Sequence, residues 1–524
     1  MGFAKIKIDA IGNIASDSIE KQLKVIFEGV PKAITRSVLV VKNDSEDYSS
    51  SLKCVLPPTA VSDTTSASAS VAGDLMSYMV KGLEKLIGMS SGCGEQNMIQ
   101  FVPSIIALKY LEATNQVTES LRTKAISYAS LGYQNQMRYV QKGNSVSFWG
   151  YSGGSTWLTA YVALAFKWAS SYIPIDSTLI GNMFEFFVTK QNLKGDFRED
   201  GTVSDNRLQG LSGKGLAMTA FVSIVLSESI DKFPEYTTAR NKALDYIALN
   251  VDENNVYDLC ISALALHLGG HADADSIYEK MMEKSIETGD ELKWEAVRPS
   301  THNTYTWWSD YTPNTFNIEA TAYALRVVLE KDSAKSLKAV KYLVSQKSAY
   351  GGYTSSQDTV QALYALSLFG SRLSISSDSL NFILTPDVGK AINHQVNPNN
   401  SITVQDYTLN PNAQKLDIFS NDTKPGSAIV TLTCKFNEVA DEAAPRFKLK
   451  TKLVRPCRSL LRHEICISFI DDDDVVQSNM ALLTMTFPSG YVYDEDQLVA
   501  PIIRVRNAQN DRRICNIYDF SNSL

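Results

Sequence analysis

The sequence predicts a multidomain protein of α and β structure, in which a long helical domain is inserted between β segments. Three observations predict this class: strand-like alternation in residues 4–55, a helical period from Ala72 to about Gly370, and strand-like alternation again after Ser371. A chain of 524 residues is also too long for one ordinary core, and we expect about two to four domains.

The first β region alternates apolar and polar residues before a turn-rich segment. Examples are Lys5-Ile6-Lys7-Ile8 and Val38-Leu39-Val40-Val41, and the pattern stops at Leu56-Pro57-Pro58. This alternation is typical of strands with one buried face.

The helical region partly repeats itself. Four similar segments each open an apolar helix: Trp157-Leu158-Thr159-Ala160-Tyr161, Met218-Thr219-Ala220-Phe221-Val222, Ala320-Thr321-Ala322-Tyr323-Ala324 and Val360-Gln361-Ala362-Leu363-Tyr364. The connectors at residues 191–197 and 346–353 each place glycine before an aromatic residue. Repeated helical hairpins can close into a ring, an α/α toroid, in which small residues such as Ala160, Ala217 and Ala322 let the inner helices approach. The whole region is predicted to be helical.

After Ser371 the strand pattern returns, for example at Ile429-Val430-Thr431-Leu432-Thr433 and Ile465-Cys466-Ile467-Ser468-Phe469. The last residues before Leu524 carry no recognisable completing strand pattern. We therefore expect the last β domain to be truncated.

Residues 92–98 contain the most reactive combination in the chain. They read Gly92-Cys93-Gly94-Glu95-Gln96-Asn97-Met98. With two residues between them, the Cys93 sulfur can reach the side-chain carbonyl of Gln96, displace ammonia and close an internal thioester, because a short tether gives a high effective concentration. The alternative is a buried or disulfide-bonded cysteine in a glycine turn, with Gln96 an ordinary polar residue.

The surroundings of this pair favour a reactive site. Gly92 and Gly94 are expected to allow backbone angles that a Cβ would forbid in so small a ring. Apolar residues then follow at helical spacing: Met98, Phe101, Val102 and Ile105. The ring is therefore predicted at the start of a helix, where amide donors point outward and favour a developing thiolate.

Composition and charge limit the possible partners. The chain is 44% hydrophobic with a net charge of −7, so nucleic acid is not an expected partner. We find no membrane-spanning run, signal peptide, cofactor motif or zinc-ligand spacing. Apart from Cys93, six cysteines could pair, which fits an oxidising compartment. Sequons that permit glycosylation begin at Asn43, Asn399 and Asn421.

The motif and its context resemble the alpha-macroglobulin and complement family. Further similar segments are Leu56-Pro57-Pro58, Ala69-Ser70-Val71-Ala72-Gly73-Asp74, residues 154–160 and residues 351–359, although Ser90 stands where the family usually has proline. The resemblance implies a CUB domain in two halves, residues 1–55 and 371–443, split by a thioester domain at residues 56–370. Residues 444–524 would begin a macroglobulin-like receptor-binding domain.

The resemblance also implies a function. Cys93 and Gln96 would form the thioester, within a loop that includes Gly92, Gly94, Glu95 and Asn97. Asp205 stands in the place of the histidine that promotes transfer to hydroxyl groups, so direct attack by amines is expected. Targets would be proteases or amines on pathogen and cell surfaces, and the last domain could bind a clearance receptor. Such a protein would be secreted and would act once rather than turn over.

Several alternatives stay open. Protease inhibition and opsonisation are both compatible with the sequence. Tyr133, Phe148 or Trp149 could shield the thioester from water, or could be plain core residues. The ring could instead belong to an enzyme like the terpene cyclases and prenyltransferases, for which Asp471-Asp472-Asp473-Asp474 would be a candidate cluster, or to a non-reactive binding protein.

Overall fold

The computed structural model describes most of the chain. The described residues are 2–25, 27–42, 46–75, 77, 93–114, 117–148, 153–201, 203, 212–213, 215–296, 315–348, 352–353, 355–372, 379–423, 426–438, 447–457, 460–469, 491–493 and 513–522. The described residues fall into two compact units: those between residues 1 and 298 together with those between 313 and 439, and those between 440 and 524.

The first unit contains a sandwich of two four-stranded antiparallel sheets. One sheet has the order β10-β5-β12-β3 and the other β4-β11-β8-β9. The strands are β3 (Val30–Lys42), β4 (Tyr48–Lys53), β5 (Ser66–Ala72), β8 (Leu380–Pro386), β9 (Ile392–Val396), β10 (Gln405–Thr408), β11 (Lys415–Ser420) and β12 (Gly426–Glu438). Each sheet combines strands from before and after the helical region: they alternate in the first sheet, and in the second β4 pairs with β11. The helices are therefore inserted into one sandwich.

Alternating side chains from both sheets fill the sandwich core. Val40 on β3, Val430 on β12, Phe382 on β8 and Ile418 on β11 are all buried in one hydrophobic cluster. The disulfide Cys54–Cys434 joins residues that are 380 positions apart. The disulfide therefore links the segment before the helical region to β12, which comes after that region.

Three strand assignments differ from the predicted segments. β1 (Gly2–Ile11) and β2 (Ser16–Val25) pair with each other in a separate two-stranded sheet. β5 lies within the predicted thioester segment but pairs with β10 and β12 of the sandwich. β6 (Ile286–Thr288) and β7 (Glu291–Lys293) form a hairpin inside the region that was predicted to be entirely helical. Polar residues at this hairpin hide its short strand pattern.

The helices contact one another around a closed circuit. They are α1 (Gly94–Ala113), α2 (Glu119–Gln136), α3 (Thr156–Ala169), α4 (Ser177–Val188), α5 (Gly215–Ser229), α6 (Thr237–Asn250), α7 (Val256–Gly269), α8 (Ala274–Glu283), α9 (Thr315–Lys331), α10 (Ser333–Ser345) and α11 (Ser356–Arg372). Alternate helices touch in sequence, α1 with α3, then α5, α7, α9 and α11, and α11 returns to α1. Helices α3, α5 and α7 are buried nearly all round, as expected of inner helices.

A repeated hydrogen bond pins the connectors to these helices. The backbone N–H groups of Val146, Phe197, Trp294 and Tyr353 donate to the hydroxyl oxygens of Thr159, Thr219, Thr321 and Thr359, at 2.8, 3.1, 3.1 and 3.0 Å. Each threonine lies near the start of α3, α5, α9 or α11. The helix openings that repeat in the sequence therefore act as repeated attachment points for the preceding chain.

The sandwich packs directly against the helices. Leu39 of β3 and Ile429 of β12 belong to the helical core cluster. Just after β5, the Asp74 carboxylate accepts a hydrogen bond of 2.7 Å from the Tyr110 hydroxyl on α1, and the Lys347 ammonium donates to the Leu75 carbonyl at 3.1 Å. The helix that begins at the predicted thioester is thus tied to the sandwich.

The second unit contains one antiparallel sheet with the order β13-β14-β16-β15. Its strands are β13 (Phe447–Cys457), β14 (Leu460–Phe469), β15 (Tyr491–Tyr493) and β16 (Arg513–Asn522). Cys466 on β14 is the register partner of Cys515 on β16. The sequence shows no recognisable strand pattern at the end of the chain, but β16 lies there. The pattern was missed because polar residues interrupt the apolar alternation of β16.

Candidate functional site

Cys93 and Gln96 form the N-terminal cap of α1. Cys93 is the N-cap residue and its backbone is extended, as a cap requires. The Gln96 backbone N–H points at the Cys93 side chain, while the Cys93 N–H donates to Gln96 Oε1 at 3.3 Å. This reciprocal arrangement is a capping box with cysteine in place of serine. It confirms the predicted helix start and brings the sulfur and the side-chain carbonyl to the same turn.

Two features of the site change the pKa of the Cys93 thiol in opposite directions. Cys93 is only 3% exposed, whereas Gln96 is exposed. Burial raises the pKa of the Cys93 thiol, while the N–H groups of Gln96 and Glu95 act in the opposite direction. Burial would make a thiolate a poor leaving group, and the helix amides would stabilise it once it forms. Such a site favours a stored bond over a constantly reactive one.

Gly94 is needed for space rather than for its backbone angle. Its φ is not positive, so the expectation that Gly94 supplies a special backbone conformation is wrong. An added Cβ would instead lie 2.8 Å from the Ser147 carbonyl oxygen and 3.0 Å from side-chain atoms of Tyr139. The start of α1 therefore lies directly against the chain between α2 and α3. Gly92 lies outside the described residues.

The next two residues of the motif are buried. Asn97 donates to the Gly132 carbonyl at 2.8 Å and to Gln136 Oε1 at 2.7 Å, which joins α1 to the end of α2. Glu95 is 1% exposed in the first turn of α1, where the helix dipole favours a carboxylate. Both residues fix the first turn rather than face solvent.

The chain between α2 and α3 forms a platform under the cap. The Gly94 N–H donates to the Phe148 carbonyl at 3.1 Å, and the Ser147 N–H donates to the Tyr139 carbonyl at 3.0 Å. The Ser155 N–H, at the start of α3, donates to the Val146 carbonyl at 2.9 Å. Hydrogen bonds thus link the start of α1 to the start of α3. Sequence reasoning missed Tyr139, since its contact with Gly94 joins distant parts of the chain.

The carboxylate of Glu199, in the connector after α4, accepts hydrogen bonds from the start of α3. Glu199 accepts from the backbone N–H groups of Thr156 at 2.8 Å and Trp157 at 3.1 Å, and from the Ser155 hydroxyl at 3.0 Å. It also accepts from the Gly201 N–H at 2.9 Å. Sequence reasoning missed Glu199 as well, although it lies close to Asp205 in the sequence. Asp205 itself is outside the described residues.

The structure places the other predicted residues as follows. Tyr133 packs edge to face against Phe166, with ring centroids 5.0 Å apart, and Phe148 is half-buried, while Trp149 is outside the described residues. Asn399 and Asn421 are exposed; Asn43 and residues 471–474 lie outside the described part.

Two broader features concern metals and membranes. Among the described residues, no group of three or more His, Cys, Asp or Glu side chains could hold a metal ion. No described helix has both the length and the apolar character that a membrane span requires.

Comparison with known proteins finds a family model and curated relatives that match this chain. The family model of the A-macroglobulin TED domain matches residues 65–369. Thioester-containing protein 1 allele R1 of Anopheles gambiae is 28% identical over 504 residues, 94% of this chain and 36% of that protein. Allele S1 of the same protein is 29% identical over 500 residues, with the same coverage. The chain spans about a third of the length of these curated relatives.

Proposed function

Because the chain belongs to the alpha-macroglobulin family of thioester-containing proteins, we propose that Cys93 and Gln96 form an internal thioester that captures nucleophiles covalently. The observation that carries this proposal is the capping box, in which the buried sulfur and the Gln96 side chain share the first turn of α1. An ordinary capping residue would not need a buried thiol beside an exposed carboxamide.

The proposed chemistry has two steps. In the first, the Cys93 sulfur attacks the side-chain carbonyl carbon of Gln96, the sulfur–carbon bond forms and ammonia leaves. In the second, an amine attacks the same carbon, the carbon–sulfur bond breaks as an amide forms, and the Cys93 thiolate that leaves takes up the proton released by the amine. The chain is consumed in this reaction, so it acts once per molecule rather than as a turnover enzyme.

Amines are the proposed acceptors. The transfer-directing histidine of the family is replaced by Asp205, and a carboxylate cannot form the acyl-imidazole intermediate that favours hydroxyl groups. Lysine side chains on target proteases or on pathogen and cell surfaces would then be captured directly. This preference follows from the family resemblance at Asp205 and from the chemistry of carboxylates and imidazoles.

The remaining domains supply the context for this reaction. We assign the sandwich to a CUB domain that is split by the helical insertion, the helical circuit to an α/α toroid, and the second unit to a macroglobulin-like receptor-binding domain. An extracellular protein that is glycosylated at exposed asparagines such as Asn399 and Asn421 fits this organisation. Endopeptidase inhibition and opsonisation remain the two candidate outcomes of capture.

Labelled methylamine tests the proposal. We expect one methylamine per molecule, attached at residue 96, together with one newly titratable thiol at Cys93. The control variant Cys93→Ala should incorporate none, and Cys260→Ala, which removes a different buried cysteine, should incorporate the normal amount. Wild-type protein that takes up no methylamine, or takes it up equally without Cys93, would contradict the proposal.

A further inference from the structure

Charged and aromatic side chains from five different helices form a cluster away from Cys93. They are Lys109 on α1, Trp168 on α3, Glu228 on α5, Arg326 on α9 and Tyr364 on α11. Lys109 lies about four helical turns, or about 24 Å, beyond Cys93 along α1. We call this group the Lys109 cluster, and none of its residues takes part in the proposed thioester chemistry.

The Glu228 carboxylate lies at the centre of the Lys109 cluster. It forms an ion pair with Arg326, and it accepts from the Trp168 indole N–H at 3.2 Å and from the Tyr364 hydroxyl at 3.3 Å. The Arg326 guanidinium also lies over the Tyr364 ring, 4.7 Å from the ring centroid. The side chains of Arg326 and Glu228 are only 5% and 11% exposed. This acid and this base are therefore matched to each other away from bulk water.

Lys109 adds a positive charge that has no acid of its own. The half-buried Lys109 ammonium lies 5.2 Å from the centroid of the Trp168 ring and 5.3 Å from that of the Tyr364 ring. Among the residues that the structure describes, none accepts a hydrogen bond from this ammonium. The aromatic faces attract the charge but leave its three N–H donors without acceptors.

The positive charges around Glu228 outnumber the negative ones. Lys167 contacts the Glu228 backbone carbonyl and pairs with the exposed carboxylate of Asp231 at 3.2 Å. Burial lowers the pKa of the Lys109 ammonium; the Glu228 carboxylate opposes this shift, and the two neighbouring cations add to it. The buried Nε–H of Arg326 also has no acceptor within the described part of the chain. Three cations thus share two carboxylates, and two sets of donors lack a partner.

We propose that the Lys109 cluster binds an acidic peptide, with a glutamate carboxylate of the peptide accepting from the Lys109 ammonium. One carboxylate supplies the single negative charge that the cluster lacks, whereas a phosphate ester carries about two. Trp168 and Tyr364 are each 8% exposed, so the charge is recessed, and a glutamate side chain can reach it while its apolar stem packs on the rings.

The specificity of such binding comes from the cluster and not from the overall charge of the protein. The net charge of the chain is −7, which repels an acidic peptide at long range. Binding of an acidic peptide therefore requires a local excess of positive charge, and the Lys109 cluster provides one. The inference does not depend on the thioester, because Lys109 and Cys93 lie far apart along α1.

Fluorescence anisotropy of a labelled peptide, with glutamates spaced by glycines, tests the inference on the full chain. We expect this peptide to bind, and the same peptide with glutamine in place of glutamate not to bind. Lys109→Met should weaken binding by about tenfold or more, because a charge-assisted hydrogen bond is lost. Lys109→Arg keeps the charge and should retain most of the affinity. A peptide with phosphoserine in place of glutamate should bind less tightly.

The matched control removes an exposed lysine elsewhere. Lys242 on α6 is exposed, and Lys242→Met should bind the glutamate peptide as the wild type does. Lys109→Met should not lower the melting temperature, because an unmatched, half-buried charge costs stability in the folded chain. If Lys109→Met does not fold, Lys109→Gln provides the comparison.

Three results would overturn the inference. They are equal binding of the glutamine peptide, tighter binding of the phosphoserine peptide, and wild-type affinity in the neutral variants of Lys109. The last result would show that Lys109 only packs between Trp168 and Tyr364. Cys93→Ala should bind the glutamate peptide normally, so a failure of this inference and a failure of the proposed thioester function are distinguishable.

Discussion

The buried carboxyl group of Glu319 makes the stability of the helical domain depend on pH. Glu319, near the start of α9, is completely buried, and the hydroxyl groups of Tyr257 and Tyr323 point at one of its oxygens. Burial raises its pKa from 4.5 to about 8, and the neighbouring Asp358 acts in the same direction. Because the folded-state pKa lies above the unfolded value, the contribution of Glu319 is fully present below about pH 4.5 and is lost as the pH rises through 8.

The size of this effect follows from the shift. For each pH unit between the two pKa values, the free energy of unfolding falls by about 1.4 kcal/mol. Over the full interval the loss is about 5 kcal/mol as an order of magnitude. Glu319→Gln has no proton to lose and keeps an acceptor for the tyrosine hydroxyls. We expect the stability of the wild type, relative to Glu319→Gln, to fall by several kcal/mol from mildly acidic to mildly alkaline pH.

Denaturant unfolding at a series of pH values measures this difference. The fluorescence of Trp157 and Trp294, both fully buried in the helical core, reports on the relevant transition. The exposed carboxylate of Glu279 supplies a control, and Glu279→Gln should follow the wild-type profile. If the profiles of wild type and Glu319→Gln are parallel between about pH 5 and pH 8, the reasoning about the buried carboxyl group is refuted.

Three other predictions concern the site and its support. Gly94→Ala should sharply reduce the fraction of molecules with a thioester, measured by intact mass. Gly143→Ala, where an added Cβ meets nothing within 4 Å, should leave that fraction unchanged. Equal fractions in the two variants would contradict the packing argument. Asp205→His should increase glycerol incorporation relative to methylamine, and an unchanged ratio would reject the assigned role of Asp205. Replacing Cys54 and Cys434 together by serine should destabilise the first unit by about 2–4 kcal/mol in thermal unfolding, and an unaltered melting temperature would show that this disulfide constrains little.

Local sequence patterns predicted the parts of the site that depend on neighbouring residues. The apolar spacing after Cys93 placed a helix start correctly, because burial of one helix face requires that period. The repeated openings at Trp157, Met218, Ala320 and Val360 all fall within α3, α5, α9 and α11. These features are encoded within a few turns of chain.

Contacts between distant segments could not be predicted in the same way. The need for Gly94 comes from Ser147 and Tyr139, and the attachment of Glu199 comes from the start of α3. No local pattern records which carbonyl or amide will lie opposite such a residue in the folded chain. The β6–β7 hairpin was missed for a different reason, since its three-residue strands are mostly polar and too short to show alternation.

The central claim is that the chain stores a covalent bond between the Cys93 sulfur and the acyl carbon of residue 96. The most direct measurement is the intact mass of freshly purified native protein, before any amine is added. The account predicts a mass lower than that of the translated sequence by one ammonia, and the deficit should be absent in Cys93→Ala. A native mass with no deficit, together with a freely titratable Cys93 thiol and an unmodified Gln96 carboxamide, would contradict it.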